Sequence, residues 1–267
     1  MNSILFAVLI VGVIGLVCGI ALAIASIVFA VPVDEKAEAI TEMLPGANCG
    51  ACGFSGCAGY AASLSSGETT NTALCNPGGS EVSKQIAEYL GIAAGEIAPM
   101  AAVVLCQGHS ANASTKMEYS GVESCKMASQ LFGGPKDCVY GCLGLGDCVK
   151  KCPYNAIHIC DGVARINPEL CKACKMCISA CPKGLIELMP LHKSRAAVLC
   201  KNKDKGVLAR KECKAACIGC MKCAKVCEAE AITVVQFNAH VDVDKCTGCG
   251  NCEEACPVKC IDILTLK

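Results

Sequence analysis

The 267-residue chain has no tryptophan and only five phenylalanines and five tyrosines. An aromatic-rich core is therefore excluded. Charge imbalance is missing too, with 24 basic side chains against 24 acidic ones. The single basic stretch lacks the interleaved aromatics of a strand-binding surface, so no nucleic-acid partner is expected. There is no G-x-G-x-x-G fingerprint after a strand pattern and no P-loop, which removes nucleotide chemistry. Ser66-Gly67-Glu68-Thr69 faintly resembles a flavin attachment sequence but reads as a polar loop, so neither flavin nor NAD is expected on this chain. His109, His158, His192 and His240 are scattered along the chain and read as surface residues. No Ser/His/Asp or Cys/His grouping stands out, and no catalytic residue is expected.

What the chain has in excess is cysteine, 27 residues. Such a content leaves a disulfide scaffold or a metal binder. Disulfide frameworks are short, secreted and irregular in spacing. Here the number is odd and the cysteines recur in C-x-x-C triplets, which is metal-ligand arithmetic. With so few aromatic side chains, much of the folding free energy must come from the metal centres themselves.

Ile4 to Val31 form an apolar run free of charge. At about 1.5 Å per residue it makes a helix of about 40 Å, longer than the ~30 Å hydrocarbon core, and tilt absorbs the excess. Ala21, Ala23 and Ala25 resemble a signal-peptidase site, but no basic region precedes the run and its length exceeds a signal's apolar core. Residues 1–31 are therefore expected to be a retained single-pass anchor, ended by Pro32. Thiolate chemistry needs reduced cysteine, which places the bulk of the chain on the cytoplasmic side of the cell membrane. Gly15 and Gly19 offer a close-packing face to another membrane helix, and Cys18 reads as a small buried apolar residue.

A small domain is expected over 32–95. Asp34 to Glu42 and Glu81 to Leu90 are helix-favouring. Cys49, Cys52, Cys57 and the more distant Cys75 suit one cubane cluster, with Gly50, Gly53 and Gly56 letting the backbone curl round the sulfurs. A zinc site is the competing use of the same cysteines.

The rest of the chain repeats. Cys138, Cys142, Cys148, Cys152, Cys171, Cys174, Cys177 and Cys181 recur 75 positions on as Cys213, Cys217, Cys223, Cys227, Cys246, Cys249, Cys252 and Cys256. Each unit carries the Cys-x-x-Cys-x-x-Cys-x-x-x-Cys run twice, as in bacterial two-cluster ferredoxins, where the fourth cysteine of one run serves the other cluster. In the second unit this makes Cys217, Cys220, Cys223 and Cys256 one set and Cys227, Cys246, Cys249 and Cys252 another. In the first, Cys152, Cys171, Cys174 and Cys177 are complete. Cys142, Cys148 and Cys181 are one short because Leu145 stands where Cys220 does, and Cys138 is the expected substitute; a three-iron or labile centre is the fallback. Five [4Fe–4S] clusters are thus expected. Cys106, Cys125, Cys200 and Cys213 remain, enough for a sixth joining the units, or else structural thiols. Cys160 and Cys260 fall outside the pattern and read as packed thiols.

Between the runs, Ile157–Cys160 with Val163–Ile166, and Ile232–Gln236 with Ala239–Val243, should form hairpins turning at Asp161-Gly162 and Phe237-Asn238. The expected class is α+β: one transmembrane helix, a small iron–sulfur domain (32–95), a connector (96–135) and two ferredoxin-like modules (136–192 and 193–267).

An apolar anchor, then Cys-Gly-Ala-Cys-Gly-Phe-Ser-Gly-Cys with a later Cys75, then ferredoxin modules resembles the B subunit of the Rnf complex, in its polyferredoxin form. The resemblance covers nearly the whole chain. It implies one component of a membrane ferredoxin:NAD⁺ oxidoreductase that moves Na⁺ or H⁺. It also implies that the chain takes electrons from soluble reduced ferredoxin and passes them to the other Rnf membrane subunits. From Cys171 to Lys225, 13 basic residues stand against Glu187, Asp204 and Glu212, a face suited to an acidic ferredoxin. A wire subunit of another membrane assembly, such as a hydrogenase or heterodisulfide-reductase complex, would share the repeats.

Overall fold

The computed structural model describes residues 2–28, 34–191 and 193–265. The expected helix end at Pro32, and His192, lie outside them. Helix α1 (Asn2–Val28) contains a 21-residue stretch, Phe6–Ser26, of mean hydropathy 2.9 and wholly unburied. Among the described residues it alone is long and apolar enough to cross a membrane.

The small domain is three helices round one core. Asp34 caps α2 (Glu35–Met43), its carboxylate accepting from the amides of Lys36 and Ala37. α3 (Cys57–Ser65) starts on Cys57, and α4 (Gly79–Leu90) stops at Gly91, whose φ of 67° makes a left-handed cap. Ile40, Leu44, Tyr60, Ala61, Leu64 and Ile86 are buried between them. Tyr60 donates its hydroxyl to the Asn71 carbonyl at 2.8 Å. The buried Thr72 and Ser83 hydroxyls bond each other and hold the backbone of Gly95, which ties off the domain.

Two units of like build follow. In the first, β1 (Met100–Val104) pairs antiparallel with β4 (Ile186–Pro190), and β2 (Ile157–Cys160) with β3 (Val163–Ile166). In the second, β5 (Arg195–Val198) pairs with β8 (Ile261–Leu264), and β6 (Ile232–Val235) with β7 (Asn238–Val241). β1 belongs to the first unit, whose fold thus reaches back to Met100, into the stretch expected as a connector. That stretch also holds α5 (Cys125–Gln130). α8 (Gly206–Glu212) occupies the corresponding, shorter connection in the second unit.

The second hairpin turns one residue earlier than its sequence suggests. Gln236 and Phe237 take the positive φ values of 48° and 59°. Asn238 is spared for the strand because its buried amide donates to the Cys200 carbonyl at 3.1 Å. The units meet through Leu105, Met189, Ala197 and Leu199. Backbone bonds from Gln107 N to Leu199 O (3.1 Å) and Lys214 N to Asn112 O (2.9 Å), with the Lys201–Glu187 ion pair, complete the seam.

Candidate metal centres

Four short helices present the ligand runs: α6 (Asp147–Lys151), α7 (Met176–Ala180), α9 (Lys222–Lys225) and α10 (Asn251–Glu254). Each is preceded by one left-handed residue, Gly146, Lys175, Met221 or Gly250. That residue reverses the chain so that Cys148, Cys177, Cys223 or Cys252 enters the core on the helix. Lys175 and Met221 accept the steric penalty of a side chain in this region, which glycine avoids.

Four sets come together as their spacing leads one to expect. Cys49, Cys52, Cys57 and Cys75 are neighbours in the small domain; burial pushes the Cys75 thiol up, and the other three add to it. Burial likewise raises Cys177 to about 11, with Cys171, Cys174 and Cys152 beside it. Cys217, Cys220, Cys223 and Cys256 line one cavity, and Cys227, Cys246, Cys249 and Cys252 another. In both units the fourth cysteine of each run lies with cysteines of the other run.

The other two sets differ from expectation. Cys125, not Cys138, shares a cavity with Cys142, Cys148 and Cys181. Leu145, in the missing ligand's place, packs with Cys125, Ala128 and Leu143. Asp147 holds this segment over α6, its Oδ2 accepting from Ser124 Oγ and Lys126 N, both at 2.9 Å. Lys150 Nζ adds a bond to Glu123 O at 2.7 Å.

Cys138 lies instead with Cys106, Cys200 and Cys213 at the seam, two cysteines from each unit. Its Sγ accepts from Asn202 Nδ2 at 3.5 Å. The seam is pseudo-symmetric. Cys106 Sγ accepts from Gly108 N (3.3 Å) and Cys142 N (3.4 Å), and Cys200 Sγ from Asn202 N (3.4 Å) and Cys217 N (3.3 Å). A Cβ on Gly108 would sit 3.3 Å from Cys106 Sγ and 4.0 Å from Cys213 Sγ, so glycine lets the backbone lie on both sulfurs.

Three cysteines stand outside these sets. Cys18 is exposed on α1, and Cys160, expected to be packed, is exposed at the end of β2. Cys260 is buried with its Sγ 3.7 Å from that of Cys256. The contacts among these thiols push Cys260 up and draw Cys217 and Cys256 down to about 6 and about 5. Of the histidines, His158 and His240 are exposed, whereas His109 is half-buried and bonded to Asn112.

The donor set fits iron–sulfur clusters. Burial raises Cys138 to about 11 and Cys200 and Cys148 to about 12. Four such sulfurs become thiolates together only where a positive centre compensates them. Among the described residues no three His, Cys, Asp or Glu side chains converge closely enough to hold a single ion. Backbone amides also point at ligand sulfurs in matched pairs. Ala102 N lies 3.4 Å from Cys171 Sγ and Ala196 N 3.4 Å from Cys246 Sγ, while Leu185 N and Ala231 N bond Cys181 and Cys227. Such donors tune iron–sulfur potentials.

These features define a multi-centre iron–sulfur protein of ferredoxin type. Family models agree: an Fe-S cluster domain matches residues 44–77, a 4Fe-4S binding domain 164–187 and a 4Fe-4S dicluster domain 216–260. The B subunit of the Na(+)-translocating ferredoxin:NAD(+) oxidoreductase complex of Acetobacterium woodii is 43% identical over 98% of this chain and 78% of its own length. The B subunit of the ion-translocating oxidoreductase complex of Methanosarcina acetivorans is 41% identical over 87% and 88%. The B subunit of the proton-translocating ferredoxin:NAD(+) oxidoreductase complex of Clostridium ljungdahlii is 39% identical over 92% and 87%. The chain belongs to the family of B subunits of the Rnf, or ion-translocating oxidoreductase, complexes. It is an iron–sulfur component of a redox complex, and its apolar α1 accords with membrane association.

Proposed function

We propose that this chain accepts electrons from a reduced soluble ferredoxin and relays them to membrane partners of the complex through six [4Fe–4S] centres. The observation that carries the reading is the grouping of 24 cysteines into six sets of four that adjoin one another along the chain's length. The seam cysteines Cys106 and Cys200 each accept an amide from a ligand of the next set, Cys142 and Cys217. Lys175 Nζ, from the loop beside Cys174, bonds the Ala51 carbonyl between Cys49 and Cys52, which supports a link to the small domain. When bound, each centre supplies one-electron redox chemistry. The protein's own part is to hold sulfur, exclude water and aim amides at the thiolates.

The second unit offers the docking face. Cys220 is exposed, and Met221, Val207, Leu208 and Phe237 are exposed on the same unit. Lys203, Lys205, Lys211, Lys214 and Lys222 are exposed as well and make no ion pair among the described residues. Exposed apolar side chains and unpaired cations on one unit suit an acidic partner and steer its approach. α1 then anchors the chain as a single span with its bulk in the cytoplasm. It carries no ionisable carboxylate, lysine or arginine, so the moving ion, Na⁺ or H⁺, crosses in partner subunits.

The test is iron, acid-labile sulfide and zinc per chain on anaerobically purified protein, followed by its rate of reduction by ferredoxin against salt. About 24 iron, on four per centre, and a rate that falls with salt are expected. Lys211→Glu with Lys214→Glu should slow reduction about tenfold at low salt. Zinc in place of iron would end the reading, and a salt-independent rate would end the docking part of it.

A further inference from the structure

Lys136 is 8% exposed, the one buried charged residue among the described residues. Its backbone is pinned by a bridge to Thr115 and by the Asp137 N to Ser114 O bond at 3.0 Å. Its ammonium donates to two backbone carbonyls, Gly108 O at 2.7 Å and Gly162 O at 2.8 Å. Neither carries charge, and among the described residues Lys136 makes no ion pair. A buried ammonium without an anion is costly. The wall it belongs to is lined by Cys106, Cys138, Cys200 and Cys213. On its other side, the Gly162 carbonyl it holds lies against Gly144, two residues after Cys142: a Cβ on Gly144 would come within 2.6 Å of that oxygen. Lys136 therefore stands between two sulfur sets, and a thiolate-ligated cluster on either side would be the missing anion.

We propose that Lys136 is the fixed positive charge that sets the redox poise of two adjacent centres, the seam set and the Cys125–Cys142–Cys148–Cys181 set. The inference rests on the six-centre reading above. A cation beside a cluster favours the form that has gained an electron, so Lys136 raises both reduction potentials. Its bonds to Gly108 and Gly162 place the charge: Gly108 carries the amide that meets Cys106 Sγ, and Gly162 is the turn of the β2–β3 hairpin. A mere clamp would hold the same carbonyls without shifting a potential.

The experiment is a redox titration followed by electron paramagnetic resonance on the full-length protein, with centres assigned through single-cysteine variants that remove them. Lys136→Met and Lys136→Gln should lower two potentials by about tenfold in the reduced-to-oxidised ratio, about 59 mV for a one-electron couple. The other four should stay in place, and Lys136→Arg should restore both. Unshifted potentials at full iron would overturn the proposal and leave Lys136 a clamp. Should an uncharged variant lose the seam centre, the neighbouring set remains readable, and a fixed potential there overturns the proposal equally. Fewer than six centres in the unmodified protein would instead overturn the reading beneath it.

Discussion

Pairs of cysteine substitutions read the ligand sets directly, because iron lost from a shared centre is lost once. Four sulfurs hold each cubane, so six sets correspond to about 24 iron, and removing one ligand costs about four, or about one where a three-iron centre survives. Cys125 lines the cavity of Cys142, Cys148 and Cys181, whereas Cys138 lies with Cys106, Cys200 and Cys213. Cys125→Ala combined with Cys148→Ala should therefore leave about 20 iron, no less than either alone. Cys125→Ala combined with Cys138→Ala should leave about 16, because two centres are struck. The pairing expected from spacing gives the reverse: Cys138→Ala with Cys148→Ala would be non-additive. Iron and labile sulfide are measured on anaerobic protein, with paramagnetic resonance of the reduced state counting spins independently. Additive loss for Cys125 with Cys148 would refute the structural grouping.

Three further outcomes follow from named contacts. Asp147→Ala removes two of the three bonds that hold the Cys125 segment to α6, so a loss of about four iron or a three-iron signal should appear at that set alone; Asp147→Asn, keeping one acceptor, should be milder, and an unchanged spectrum in the alanine variant would show the tether is idle. Deleting residues 1–33 should release a soluble protein with its full iron, and a truncated chain that still sediments with membranes would deny α1 the anchor role. Cys213→Ser should cut iron to about 20 and split reduction by ferredoxin in stopped flow, fast in the second unit and slow beyond the seam; one undivided phase would mean that electrons bypass it.

Much of this architecture is legible in sequence because cubane ligation imposes strict local spacing. Cys-x-x-Cys-x-x-Cys puts three sulfurs on one tight turn, and the crossed fourth cysteine follows from the doubled run. The two hairpins are legible through their β-branched pairs, although the second turn slips by one residue because the Asn238 amide is engaged with the Cys200 carbonyl. The pairing of β1 with β4 is not legible, since it joins Met100–Val104 to the distant Ile186–Pro190 through backbone groups that any side chain carries. Nor is Cys125, which is brought to α6 by Asp147, a contact invisible to spacing. The exposure of Cys160 likewise depends on where the β2 edge ends.

Symmetry, however, was available and decides the misplaced pair. Cys138 and Cys213 are repeat counterparts, and Cys106 and Cys200 end matching Ala-Val-Val-Leu-Cys and Ala-Ala-Val-Leu-Cys segments. A centre built at a seam between two like units draws equivalent donors from each, which selects those four and no others. Cys125 has no counterpart; it lies in the longer connection of the first unit, and Leu145 is the only ligand position that unit lacks. An unmatched donor and an unmatched vacancy on the same unit belong together. The duplication therefore did more than double a ferredoxin. By leaving one cysteine pair on each copy facing the other, it set four sulfurs at the seam, and under the six-centre proposal those same sulfurs would both join the two units and carry current between them.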